Sequence, residues 1–158
     1  MKEKAEFMML AIREAGKNLR TMHGGPFGAC IVKNGKTLAV SRNLVLKNQD
    51  PTCHAEMNAI RIASRKLKTF DLSSCVLYST TEPCPMCFCA IHWARIPVVF
   101  FGTRTRDAKA IGFNELNIPD SLLKKMGKSK VKLVRSKLIK ECQELFSAWK
   151  NLRHKKSY

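Results

Sequence analysis

Near the start of the chain the apolar positions recur at helical spacing. Phe7, Met8, Ala11, Ile12, Ala15 and Leu19 fall on one stripe and predict a helix over residues 2–20. Gly24, Gly25 and Pro26 end it. The pattern then turns β-rich over 27–33 and again over 37–42. Between these runs lies Lys33-Asn34-Gly35-Lys36, whose Asn-Gly pair signals a tight hairpin. Helical spacing returns with Ala59, Ile60, Ala63 and Leu67, predicting a helix from about Cys53 or His54 to about Lys68 with Thr52 as its cap. Residues 75–80 (CVLYST) read as a buried strand. A helix opens at Pro85, where a first-turn proline is tolerated. Residues 97–102 (PVVFFG) form another strand. Residues 103–130 are the least regular, with a helical turn expected over Ser121–Met126. A strand near 131–135 precedes a last helix from about Lys137 to about Asn151, striped by Ile139, Cys142, Leu145, Phe146, Trp149 and Leu152. This order of elements is that of an α/β sandwich around a mixed sheet.

A length of 158 residues predicts one domain, and 45% hydrophobic with 26% charged residues is ordinary for a globular chain with a core. No apolar run approaches a membrane span, and the N-terminus mixes acids and bases instead of showing a signal peptide, so no membrane partner and a cytoplasmic location are expected. Seven cysteines, an odd number, fit a reducing compartment and point to metal binding or catalysis rather than a disulfide framework. The net charge is +17. From residue 124 onward twelve Lys or Arg face two acids, so most of the excess lies in the last quarter. A basic face of this kind attracts polyanions such as RNA. Without aromatic interleaving or an RNA-binding signature, a lysine-rich solvated surface is the favoured reading, and nucleic acid stays possible but not favoured.

Two short segments carry the chemistry: Cys53-His54-Ala55-Glu56 and Glu82-Pro83-Cys84-Pro85-Met86-Cys87. His-x-Glu followed by Pro-Cys-x-x-Cys is the established signature of the zinc nucleobase deaminases. The physical sense is plain. His54 offers an imidazole nitrogen and Cys84 and Cys87 offer thiolates, three ligands for an ion that takes four. The open position holds a water that the metal acidifies. Both segments are expected at helix N-termini, where free N–H groups and the helix dipole favour thiolates. Glu56, near the same helix start, can take a proton from that water and return it to the ring and the leaving amine. A structural site would need a fourth protein ligand, for which Cys53, Cys89 and His92 are the candidates. A catalytic site explains the adjacent Glu56, and a structural one does not. Cys30, Cys75 and Cys142 sit at core positions.

The stretch from Asp50 to Glu56 and from Glu82 to Ile91 resembles the purine branch of the cytidine deaminase superfamily, which holds tRNA adenosine deaminases and guanine deaminases. The resemblance runs from about Gly24 to Tyr158. Three features resemble the guanine deaminases: Gly24-Gly25-Pro26-Phe27-Gly28-Ala29, Gly112-Phe113-Asn114-Glu115, and the ending Ala148–Tyr158. Cys53, Cys89 and His92 depart from the residues common in that branch, and none of these changes removes a zinc ligand.

The resemblance implies an α/β fold, a three-layer α/β/α arrangement of the cytidine deaminase kind with a central mixed five-stranded sheet. It implies one domain over 1–158, with residues 152–158 a tail over the active site. It implies one Zn²⁺ per chain on His54, Cys84 and Cys87, with Glu56 and Glu115 catalytic. Asn43, and backbone N–H groups near Ala55, would orient the purine, and Phe27 and Trp93 would pack on its face. Asn43 also suits the end of a β-strand, and Phe27 and Trp93 also suit a core. Tyr158 would cover the pocket, that of the partner in a homodimer with exchanged tails. The activity implied is hydrolysis of guanine to xanthine and ammonia. The alternatives are adenosine-to-inosine editing of an anticodon loop, deamination of another amino-purine, nucleoside or triazine, and a non-enzymatic zinc-stabilised RNA-binding module.

Overall fold

The computed structural model describes residues 2–116 and 118–158. Five strands form one sheet in the order β2-β1-β3-β4-β5. Strands β1 (Gly28–Lys33) and β2 (Lys36–Arg42) make the hairpin that the Asn-Gly pair signals. Asn34 and Gly35 both take positive φ (51° and 72°), the left-handed conformation that a two-residue turn of this hand requires. β1 also pairs antiparallel with β3 (Cys75–Thr81), and β3 pairs parallel with β4 (Val98–Thr103). β4 pairs parallel with β5 (Lys132–Arg135). The sheet is therefore mixed and five-stranded, as expected.

Helices cover both faces, and for that reason β3 and β4 are buried along their whole length and read as continuous apolar runs. Alternate residues feed two cores. Ile31, Leu77, Val99 and Phe101 pack with Ala55, Ala59 and Ala63 of α4 (Ala55–Leu67) and with Phe88 and Ile91 of α5 (Pro85–Trp93). Cys30, Val76, Tyr78 and Phe100 pack with Phe7, Met8 and Ala11 of α1 (Ala5–Gly16) and with Cys142 of α8 (Ile139–Lys150). This is a three-layer α/β/α sandwich, and Cys30, Cys75 and Cys142 are core residues in it.

The remaining elements are short. The expected helix over 2–20 breaks at Lys17 into α1 and α2 (Asn18–Thr21), and Met22 closes α2 at φ 53°. α3 (Val45–Asn48), α6 (Thr105–Ala110) and α7 (Asp120–Met126) complete the set. The irregular stretch thus holds α6 as well as the turn expected over 121–126. Thr52 does not cap α4, which begins after His54. Its N–H and hydroxyl instead donate to Asp50 Oδ1, both at 2.7 Å, closing a turn ahead of the helix.

Candidate active site

The carboxyl end of β3 opens into the turn Glu82-Pro83-Cys84, and the cleft lies there beside the start of α4. His54 is the residue before the first turn of α4, and Cys84 stands in the same place before α5, whose first residue is Pro85. The sequence folds this way because Cys84 supplies the extended cap while Pro85 has no N–H to lose in the first turn. Cys87 follows one turn later and is fully buried. The ligand atoms of His54, Cys84 and Cys87 lie within 4.8 Å of one another. His54 Nδ1 is 3.6 Å from each sulfur. One imidazole and two thiols so converged fit a single zinc ion with one position left for water. Among the described residues no fourth His, Cys, Asp or Glu joins the cluster. Cys53 donates instead to Asp50 Oδ2, Cys89 is exposed, and His92 meets Ser129 Oγ at 3.0 Å.

The thiols divide their roles. A hydrogen bond from the Cys87 thiol is the main reason that Cys84 is pushed down to about 4, against the effect of burial and with help from His54. The same bond, together with burial, pushes Cys87 well up. Burial works against a charged His54, but the Cys84 sulfur outweighs it and the imidazole pKa is raised. Glu56 is 6% exposed. Ser79 Oγ donates to its Oε1 at 2.9 Å, and the Cys87 thiol faces its Oε2 at 3.6 Å. Burial raises its pKa. Glu115 reaches the same pocket from the segment after α6, and burial pushes it up to about 7.

The cavity is about 470 Å³ and is lined by Phe27, Asn43, His54, Glu56, Glu115 and Tyr158 among others. Phe27 stands edge-on to Phe113 at 4.8 Å and to Phe146 at 5.8 Å. Asn43 Oδ1 accepts from Val45 N–H at 3.1 Å and from the Tyr158 hydroxyl. That hydroxyl also accepts from Gly25 N–H at 3.0 Å, and the Tyr158 carbonyl accepts from Asn114 N–H at 3.0 Å. Within this one chain the tail covers the chain's own pocket. Ala55 is fully buried as the first residue of α4, between the two lining residues His54 and Glu56.

Trp93 does not belong here. It ends α5, 75% exposed. Eight residues of helix carry it about 12 Å along the axis from the end that faces the cavity. The family resemblance sets it on the face of the purine and its apolar character suits a core; in this chain it neither lines the cavity nor is buried.

A family model for the cytidine and deoxycytidylate deaminase zinc-binding region matches residues 1–103. The chain belongs to that family. It is a zinc-dependent hydrolytic deaminase. The guanine deaminase of Bacillus subtilis (strain 168) is 38% identical over 152 residues, covering 96% of this chain and 97% of that protein. The tRNA-specific adenosine deaminase of the same organism is 34% identical over 151 residues, covering 95% and 91%. The solved guanine deaminase from Nitrosomonas europaea superposes with a TM-score of 0.85 at 26% identity, covering 96% of this deaminase and 87% of that chain. Among the described residues no helix of the deaminase is long and apolar enough to cross a membrane.

Sequence reasoning passed over Ser79, which holds Glu56, and Glu82, which is 5% exposed and lines the cavity. Position 82 stood inside the quoted motif, and its burial was the missing information. Ser79 is one of the alternating positions of β3 that face α4, a cue available once the strand is placed.

Proposed function

We propose that this deaminase hydrolyses guanine, with water, to xanthine and ammonia. The observation that carries the choice within the family is the covered pocket. Tyr158 is hydrogen-bonded to both Asn43 and Gly25 at its mouth, which leaves a cavity of about 470 Å³. That volume is in the range of a small-molecule site. An RNA loop would have to displace the tail, and a chain end folded onto the site is a poor arrangement for a macromolecular substrate.

In this reading His54, Cys84 and Cys87 hold the zinc. When bound, the metal supplies Lewis-acid activation of the attacking water. Glu56, two residues from His54 and with a raised pKa, takes the proton from the water. It delivers that proton to the ring nitrogen beside C2. Glu115, with a pKa of about 7, carries the second transfer onto the departing amine. Asn43 is held in one amide orientation, because Val45 N–H and the Tyr158 hydroxyl both occupy its Oδ1. Its Nδ2 is left to donate to an acceptor on the purine edge, which guanine provides at O6 and N7. Phe27 flanks the base, and the N–H of Ala55 at the α4 N-terminus faces developing negative charge. Tyr158 excludes bulk water from a site that must direct one water at one carbon.

We place the protein in the cytoplasm, in keeping with seven unpaired cysteines. We also read it as a homodimer. Trp93 and Met126, both 75% exposed, are large apolar residues on α5 and α7, two helices in mutual contact, and a second copy would cover them. Tails exchanged between two copies would set the same Tyr158 on the same atoms of a partner.

The test is ammonia release from guanine, guanosine, adenine, cytosine and a tRNA anticodon stem-loop under one set of conditions. Guanine is expected to give xanthine and ammonia in equal amounts, and the others little. Inosine formation in the stem-loop with no xanthine from guanine would overturn the reading. The same preparation should run in solution at twice the 17.9 kDa chain mass, and a monomer would remove the dimer.

A further inference from the structure

Asn18 lies outside the catalytic motifs and does not line the cavity, yet it is fully buried. A buried amide is tolerated only when its donors and acceptors are met. Here all four valences are used. Its Nδ2 donates to Gly25 O and to Asn43 O, each at 2.8 Å. Its Oδ1 accepts from Thr21 Oγ at 3.2 Å and from Arg42 Nε at 3.1 Å. Arg42 is anchored in turn by Glu14 of α1.

The two carbonyls that Asn18 holds belong to the two residues that grip Tyr158. Gly25 gives its N–H to the Tyr158 hydroxyl, and Asn43 accepts from that hydroxyl. The segments around 25 and 43 meet elsewhere through Asn43 N–H on Phe27 O at 3.0 Å. Gly24 allows the close approach, since a Cβ there would strike Asn43 Oδ1 and its backbone. One side chain from a four-residue helix thus clamps the loop and the strand end that present Asn43 to the cavity.

We propose that Asn18 is a positioning residue: it acts through Asn43 and Gly25 to set purine affinity and to hold the Tyr158 lid. The affinity part rests on the reading that Asn43 binds the purine. Because the clamp is shared by ground state and transition state, its loss raises KM more than it lowers kcat.

The discriminating variant is Asn18→Asp. It keeps the acceptor toward Thr21 and Arg42, and a carboxylate beside the Arg42 guanidinium keeps the fold. It turns a lone pair instead of N–H groups toward the two carbonyls. Zinc content should stay at about one per chain. KM for guanine should rise roughly tenfold, with kcat changed less than about threefold. In an Asn43→Ala background the same substitution should change KM by less than about twofold, because coupled residues are non-additive. Trypsin should also release the end of the tail at Arg153, Lys155 or Lys156 several-fold faster. The same cycle with Asn18→Ser reads the same quantities where the aspartate variant does not fold. An unchanged KM, or an equal tenfold rise in both backgrounds, overturns the role in affinity. Should the wild-type chain not act on guanine, the proposed function fails by itself. Asn18 is then judged by the tail alone, and an unchanged rate of trypsin release would overturn its positioning role.

Discussion

Glu56 sits almost wholly inside the protein with its two oxygens engaged differently, one accepting from Ser79 Oγ at 2.9 Å and the other facing the Cys87 thiol. Burial raises its pKa, which makes it a better acceptor for the proton it is asked to take. It contributes no ligand atom to the His54, Cys84 and Cys87 cluster. Glu56→Ala should therefore keep about one zinc per chain by metal analysis and lose roughly 10²- to 10⁴-fold in kcat. Unchanged turnover would remove Glu56 from the chemistry, and loss of zinc would make it part of the metal site. At this scale the ligands were legible because two sequence-local motifs supply them. Asn18 and Ser79 were not, because their partners lie far along the chain: Asn43 is 25 residues from Asn18, and Glu56 is 23 from Ser79. A polar residue whose use is decided by a contact at that separation leaves no local pattern.

Periodicity and the proline at 85 place the elements that carry the site, α4 and α5, and each begins inside a ligand segment, α4 directly after His54 and α5 directly after Cys84. α3 and α6 were not read, since four and six residues are too few to show a helical period. Trp93, which the resemblance sets on the purine, stands at the far end of α5 and outside the cavity lining of this chain. α7 holds a feature that no pattern revealed. Its first residue, Asp120, is fully buried, and neither carboxylate oxygen has a hydrogen-bond partner among the described residues. Burial, with Glu82 nearby, pushes its pKa up to about 9. The folded chain thus keeps this proton where the unfolded chain, titrating near 3.8, has lost it. Folding takes up a proton between those values, so the group's contribution to stability falls as pH rises through that window. Asp120→Asn, which keeps the shape without the titration, should raise the melting temperature at pH 8 by the equivalent of at least ~1 kcal/mol. The difference should shrink toward pH 4. A variant equally or more stable than wild type at pH 4 but less stable at pH 8 would contradict the assignment.

On the scale of the whole molecule, the last residue of the chain closes a pocket built from its first half. Tyr158 binds Gly25 and Asn43 through its hydroxyl and Asn114 through its carbonyl, and its ring meets Phe113 edge-on at 5.5 Å. Burial pushes its phenol pKa up, so the hydroxyl remains a neutral donor to Asn43. These contacts join the 24–25 loop, the end of β2 and the Glu115 segment at one point. The run Arg153-His154-Lys155-Lys156 between α8 and Tyr158 is mostly exposed, so the tail is held mainly at its tip. Its anchors are few and lie outside both cores, and losing them should affect catalysis more than stability. Deleting residues 154–158 should leave zinc content unchanged and lower the melting temperature by several degrees, as expected for the loss of the three hydrogen bonds and one aromatic contact of Tyr158. KM for guanine should rise roughly tenfold or more and kcat should fall, because the open site admits bulk water and Asn43 loses the hydroxyl that fixes its amide. Tyr158→Phe should fall between the two proteins, since it keeps the ring on Phe113 and removes only the hydroxyl bonds. A truncated chain that turns over guanine with the wild-type kcat and KM would show that the tail rests on the pocket without serving it.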